Sequence, residues 1–247
     1  MVEKVCCLFT IEGFPGRSSI GSSLASDSGS ALSRRQTAGR QNNEDVNSFR
    51  TIAWVTTALI ILFGIIGKGP ATYRYAILFL GPMLWAVYFL RHRLHIHACH
   101  FAIFATALLM HNLGAFGTYG QAYYGLEFDT YVHFYFGVAG GFIVARALRC
   151  CFGLTGWQLW VGTVIVILGL GAIHELIEYA STLVLGPEKG MLKLNSPDAK
   201  TDTQKDLLNN MLGTLLALAI YSVFRTVRRS APERVGNCPS DLAETTR

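Results

Sequence analysis

The sequence predicts an all-α, polytopic membrane protein, a bundle of about six transmembrane helices, and three observations lead there. Of 247 residues only 15% are Asp, Glu, Lys or Arg, against about 25% in a typical soluble domain. Apolar residues make up 51%, with 25 Gly besides, and the mean hydropathy is +0.35, so few side chains remain to coat a water-facing surface. These apolar residues also gather into charge-free runs of membrane-spanning length.

Three regions follow from that distribution. Residues 1–48 are rich in Ser, Gly and Arg without helical or strand periodicity, and read as a disordered cytoplasmic segment rather than a signal peptide. Residues 49–226 hold the six spans, and residues 227–247 form a cytoplasmic tail.

Span one runs from Thr51 to Gly67, uncharged, and ends in the breaker Gly67-Lys68-Gly69-Pro70. Span two covers Ala71 to Leu90 and is closed by Arg91-His92-Arg93. Span three is placed at Ala98 to Phe116, because Gly114, Gly117 and Gly120 interrupt the apolar run beyond it. The Gly- and Tyr-rich stretch that follows, with Tyr119, Tyr123 and Tyr124, reads as interfacial. Span four is Thr130 to Ala145, before Arg146 and Arg149; span five is Trp157 to Leu185; span six is Leu207 to Phe224, before Arg225, Arg228 and Arg229.

Six spans put both termini on one side. Arg34, Arg35, Arg40 and Arg50, then Arg91 and Arg93, then Arg146 and Arg149, then Arg225, Arg228, Arg229 and Arg234 all fall on that side. The other side has Lys68 and Arg74, nothing basic between spans three and four, and a mixed loop from Glu188 to Asp206. By the positive-inside rule both termini are cytoplasmic, in the inner membrane if the host is bacterial. No basic nucleic-acid motif occurs, and the six cysteines show no C-x-x-C spacing; the partners expected are membrane lipids.

With this topology the acidic and His residues converge. Asp129 and His133 lie four apart at the outer end of span four, on one helical face. Glu175 lies roughly 27 Å along span five at 1.5 Å per residue, again near the outer surface, and His174 and Glu178 share a face. Asp198, Asp202, Asp206 and Asn210 recur every four residues and form one stripe if span six begins early. His111, late in span three, ends at the same level.

An ionisable group at membrane depth is costly unless it is paired, hydrated or bound to a cation. Carboxylates with one or two imidazoles suit Zn, Mn or Fe, and an all-oxygen subset would suit Mg or Ca. The candidate ligands for a divalent metal ion are Asp129, His133, Asp202 and Asp206; the candidate acid–base residues are Glu175 and Glu178, with His133. Plainer readings stand beside these. Asp129 also reads as a helix-start acid with His133 interfacial, Glu175 and Glu178 as an internal ion pair or protonated carboxyl pair holding the bundle together, and Asp198, Asp202 and Asp206 as a solvated loop and first-turn acids. His92, His95, His97 and His100 read as a hydrated basic collar on the cytoplasmic side, and Gly137 with Gly141 as a small-x-x-x-small packing pair.

Phe128-Asp129-Thr130-Tyr131-Val132-His133-Phe134 with Gly137 and Arg146, His174-Glu175-Leu176-Ile177-Glu178-Tyr179, and Asp202-Thr203-Gln204-Lys205-Asp206 with Asn210 and Gly213 together resemble the YjdF-type bacterial inner-membrane proteins. That is a family of six-span proteins of unknown biochemical function. The likeness runs from His111 to Gly213, and what it implies for sites is carried by Asp129, His133, Glu175, Glu178, Asp202 and Asp206. More distantly the chain is similar to VanZ-like membrane proteins, some of them associated with glycopeptide resistance, although Lys200 stands where an Arg often precedes their final acidic run.

Three functions fit these residues. The first is a metal-dependent hydrolase or transferase acting on a small-molecule, lipid or lipid-linked substrate at the outer leaflet. The second is a transporter or ion-binding protein using the same carboxylates as a relay. Against it stands the absence from the sequence of an inverted repeat or a second polar band toward the cytoplasm. The third is a non-catalytic, VanZ-like envelope protein whose polar set only secures packing.

Overall fold

The computed structural model describes residues 28–69, 71–75, 77–186 and 201–229. The described residues are all-α but for one very short hairpin. The helices are α1 (Ser28–Ile66), α2 (Ile77–Leu90), α3 (Ala98–Asn112), α4 (Phe128–Phe152), α5 (Gly156–Leu185) and α6 (Asp202–Arg229). Among the described residues five stretches are long and apolar enough to cross a membrane: Val46–Ile66, Ala98–Phe116 (α3 with the 3-10 turn after it), Phe128–Phe152, Gly156–Leu185 and Asp202–Thr226. With α2, an apolar helix of 14 residues, they make a polytopic membrane bundle.

Several boundaries differ from the expectation. Among the described residues α1 runs from Ser28, so residues 28–48 are helical where disorder is expected; no Pro interrupts them, and Ala, Arg, Gln and Glu there are good helix formers. Residues 1–27 and 230–247, with most of the expected tail, lie outside the described residues, as does Asp198. The expected second span splits into a helical turn, Ala71–Arg74, and α2, which alone is shorter than the ~20 residues a span requires. Helix α4 runs on past Arg146 and Arg149 because both guanidinium side chains are buried in the bundle; it ends at Gly153, whose φ of +67° suits a left-handed cap. Helix α6 begins at Asp202, early enough to carry Asp206 and Asn210 on one face.

Between α3 and α4 the chain forms 3-10 turns at Leu113–Phe116 and Thr118–Gly120, then a hairpin of β1 (Ala122–Tyr123) and β2 (Leu126–Glu127), paired antiparallel. Its two-residue turn, Tyr124-Gly125, has positive φ at both positions, the geometry that matches strand twist in tight hairpins. Tyr123 and Tyr124 are exposed, as an interfacial role requires, but Tyr119 is buried.

The bundle packs in two halves. In the first, Phe49, Ile60, Leu80, Leu84, Phe101 and Leu108 join α1, α2 and α3 in one apolar core. Polar ties cross it: Asn112 Nδ2 donates to the Ile60 carbonyl (3.2 Å) and Trp85 Nε1 to Thr57 Oγ1 (3.2 Å). In the second half α4 and α6 run parallel, with Phe134 and Gly137 beside Gly213 and Asn210, and Gly141 beside Thr214 and Ala217 further along. A Cβ on Gly213 would strike the Phe134 carbonyl oxygen, and one on Gly137 the Asn210 carbonyl oxygen. The small-x-x-x-small pair thus lets two backbones touch, as the spacing of Gly137 and Gly141 suggests. Helix α5 lies antiparallel to both, Glu175 meeting Thr203 near one end and Leu159 packing with Ala145 and Leu218 near the other.

Candidate functional site

This arrangement brings the end of α3, the start of α4, the second half of α5 and the start of α6 to one place. On α4, Asp129 and His133 are one turn apart, and His133 Nε2 lies 3.5 Å from Asp129 Oδ1. From α6, Asp206 Oδ2 comes within 3.7 Å of the same nitrogen. Asp129, His133 and Asp206 each offer one ligand atom, all within 4.8 Å of one another. His133 and Asp206 are buried, while Asp129 is partly exposed. Asp202, the fourth expected ligand, is not one of these three; it stands one turn nearer the start of α6.

Asn210 supports the trio from behind. Its Nδ2 is 3.4 Å from His133 Nδ1, while its Oδ1 is buried without a hydrogen-bond partner among the described residues. A half-turn of the amide would exchange the two atoms, giving Oδ1 a partner in an Nδ1–H and leaving the Nε2 lone pair directed at the carboxylates. Gly171 of α5 makes room for this amide; a Cβ there would lie 2.7 Å from Nδ2.

Helix α5 adds a second set. His174 Nε2 pairs with Glu178 Oε1 at 3.2 Å, one turn apart. The His174 ring lies between those of His111 and His133, at 5.6 and 5.8 Å, and stacks on Phe79. Glu175 is 6% exposed; its Oε2 accepts from Thr203 Oγ1 (2.9 Å), and its Oε1 has no partner among the described residues. All the expected acid–base residues therefore lie in this region, although Glu175 and Glu178 point to different neighbours.

Some participants are not evident from the sequence. Tyr119 is not an interfacial anchor: its hydroxyl is 2.6 Å from His111 Nδ1, and its ring stacks on Tyr73 at 4.7 Å. Burial, reinforced by the nearby carboxylates, pushes the Tyr119 phenol well above its ordinary range, so it is neutral and can donate to His111. The signal available was Gly117, whose φ of +80° turns the chain back toward α3.

The other end of the bundle also departs from expectation. His92 and His95 are exposed, as a hydrated collar requires, but His100, Arg146 and Arg149 are buried, with Arg146 Nε donating to the His95 carbonyl and His100 edge-on to Phe142. A second polar group therefore does exist toward that end, in the extension of α4 beyond Ala145.

Residues 49–227, more than half of the chain, match a family described as Predicted membrane protein (DUF2238). The chain belongs to the DUF2238 family. This is the family of the YjdF-type proteins, so that resemblance holds; the VanZ-like one is not shown. No curated protein matches the chain, and no solved structure does. The DUF2238 match spans all the helices that build the site, from within α1 through α6.

Proposed function

We propose that this DUF2238 protein is a membrane-embedded hydrolase or transferase that uses a divalent cation and acts on a lipid or lipid-linked group. The observation that carries the reading is the trio itself: two carboxylates and an imidazole from two helices, their atoms within 4.8 Å, set in apolar spans. Two carboxylates and one imidazole suit a borderline or hard divalent ion and leave coordination positions open to water and substrate. Such a cation acts as a Lewis acid and makes a bound water a nucleophile at neutral pH.

The chain's own groups supply the rest. Asn210 orients His133, and Asp202 adds negative charge beside Asp206. Glu178, held by His174, or Glu175, with its bare Oε1, takes the proton as the water oxygen attacks the acyl or phosphoryl centre. The same carboxyl returns that proton to the leaving oxygen as its bond breaks. The test is metal analysis of purified protein against an Asp206→Asn, Glu178→Gln double variant. About one equivalent in the wild type and near none in the variant supports the reading, and near none in both removes the cation. Lipid and envelope profiles of cells lacking the protein, and of cells carrying Glu178→Gln, then address the substrate.

The same reading includes both termini in the cytoplasm and the site in the outer third of the bilayer, supported by the distribution of Arg. A reporter active only in the cytoplasm should give signal when fused to the C-terminus; a silent fusion of a well-expressed protein would reverse the orientation. Transport is the second reading, and the buried His100, Arg146 and Arg149 favour it by supplying the second polar group it needs. Carboxylate-dependent, pH-dependent flux in proteoliposomes would select it over hydrolysis.

A further inference from the structure

Between α5 and α6, beside the trio, lies a cleft of about 380 Å³ lined by Ala172, Glu175, Leu176, Tyr179, Thr203 and Leu207. All six residues belong to spans long and apolar enough to cross the membrane. Four of them offer mainly carbon, and Leu176 and Tyr179 are exposed on the outer surface of the bundle. The cleft therefore opens sideways, toward hydrocarbon. Besides the Tyr179 hydroxyl its polar groups are Glu175 and Thr203, which are hydrogen-bonded to each other, and Glu175 is 94% buried by the 6% exposure given above, with an oxygen lacking a partner among the described residues. Thr203 precedes Asp206 by one helical turn, so the polar part of the cleft is next to the trio.

We infer that this cleft seats one hydrocarbon chain of a membrane lipid, entering laterally between α5 and α6, with the polar end of that lipid at Glu175 and Thr203. The inference rests on the lipid-directed reading above and names how its substrate arrives. In a bilayer the material available to fill an apolar, side-opening cleft is an acyl or prenyl chain, because unpaired water in such a lining loses its hydrogen bonds. Antiparallel helices fix the direction of the chain. Tyr179 and Thr203 lie at the cluster end and Ala172 and Leu207 one to two turns further in, so the polar end and the carbonyl beside it meet the first pair and the later carbons the second.

The test uses the full chain in nanodiscs of phosphatidylcholine and phosphatidylglycerol doped with a phospholipid carrying a diazirine either near the acyl carbonyl or near the chain terminus. After irradiation, peptide mapping should give preferred adducts on the Tyr179 and Thr203 peptides with the first probe and on the Ala172 and Leu207 peptides with the second. Ala172→Trp, which fills the cleft, should lower the terminal-probe adducts about fivefold or more. Leu176→Trp, at an exposed wall position that leaves the core untouched, should do the same, and Ile165→Trp, on another exposed part of α5, should not. Even labelling of all lipid-facing helices, or adducts unchanged in both cleft variants, overturns the inference. Metal content measured on the same samples separates the two readings. Selective adducts without metal would sink the cation and keep the chain seat, whereas metal without selective adducts would sink the seat and keep the cation.

Discussion

Gly213→Ala should destabilise the protein by about 2–3 kcal/mol, while Gly169→Ala should stabilise it by up to about 1 kcal/mol. Both glycines sit inside helices, where Ala is intrinsically the better residue, so propensity alone gives the two variants the same sign. The surroundings separate them. A Cβ on Gly169 meets nothing within 4 Å, whereas one on Gly213 collides with the Phe134 carbonyl oxygen and comes within 2.9 Å of the Val138 nitrogen. Those atoms belong to the α4 backbone and cannot swing aside like a side-chain tip, so the two helices must part. Parting them also loosens the Thr214 hydroxyl contact with the Gly137 carbonyl, 3.3 Å across the crossing. Thermal unfolding of the two purified variants in one detergent reads the outcome; shifts of equal sign would mean that the crossing tolerates separation.

On the proposed cation site, Asn210→Leu should weaken divalent-cation binding by about 10- to 100-fold while leaving Asp129, His133 and Asp206 in place. Asn210→Asp should keep the affinity within about tenfold. Both variants are close to Asn in size; Asp keeps an oxygen that can accept from a His133 Nδ1–H, as Asn210 would with its amide turned, whereas Leu has none. With that oxygen the imidazole is held as the tautomer whose Nε2 faces Asp129 and Asp206; without it the proton can sit on Nε2 and bridge to the carboxylates, 3.5 and 3.7 Å away, in place of a cation. Titration of metal-stripped protein with Zn and Mn by calorimetry distinguishes the cases. Equal affinity for wild type and Asn210→Leu would show that Asn210 has only a packing role.

The sequence made the spans legible because charge is so sparse that each Arg or breaker marks an end, and it made the site legible because three i,i+4 pairs converge once helix directions alternate. Asp129, His133, Asp206, Asn210, Glu175 and Glu178 were all visible in this way. The misplaced boundaries share a cause. Charge alone suggests that a residue leaves the bundle, yet Arg146 and Arg149 stay inside it, and the polar stretch from Ser28 to Arg50 continues as helix because polarity does not break a helix as Pro does. Tyr119 was missed because its burial depends on a chain reversal at Gly117 and on Tyr73, from an element far away in sequence. Asp202 looked equivalent to Asp206 by periodicity, but one turn along α6 decides which of them faces His133.

The parallel pairing of α4 with α6 also sets an order of events during synthesis. Asp129 and His133 emerge with α4, but Asp206 and the glycine that admits close contact are on α6, with all of α5 between them. A nascent chain that has not yet released α6 therefore carries half a site and an open glycine face on α4. Completion of the trio and locking of the second half of the bundle become one step, so the protein acquires whatever its site does only once α6 has been inserted.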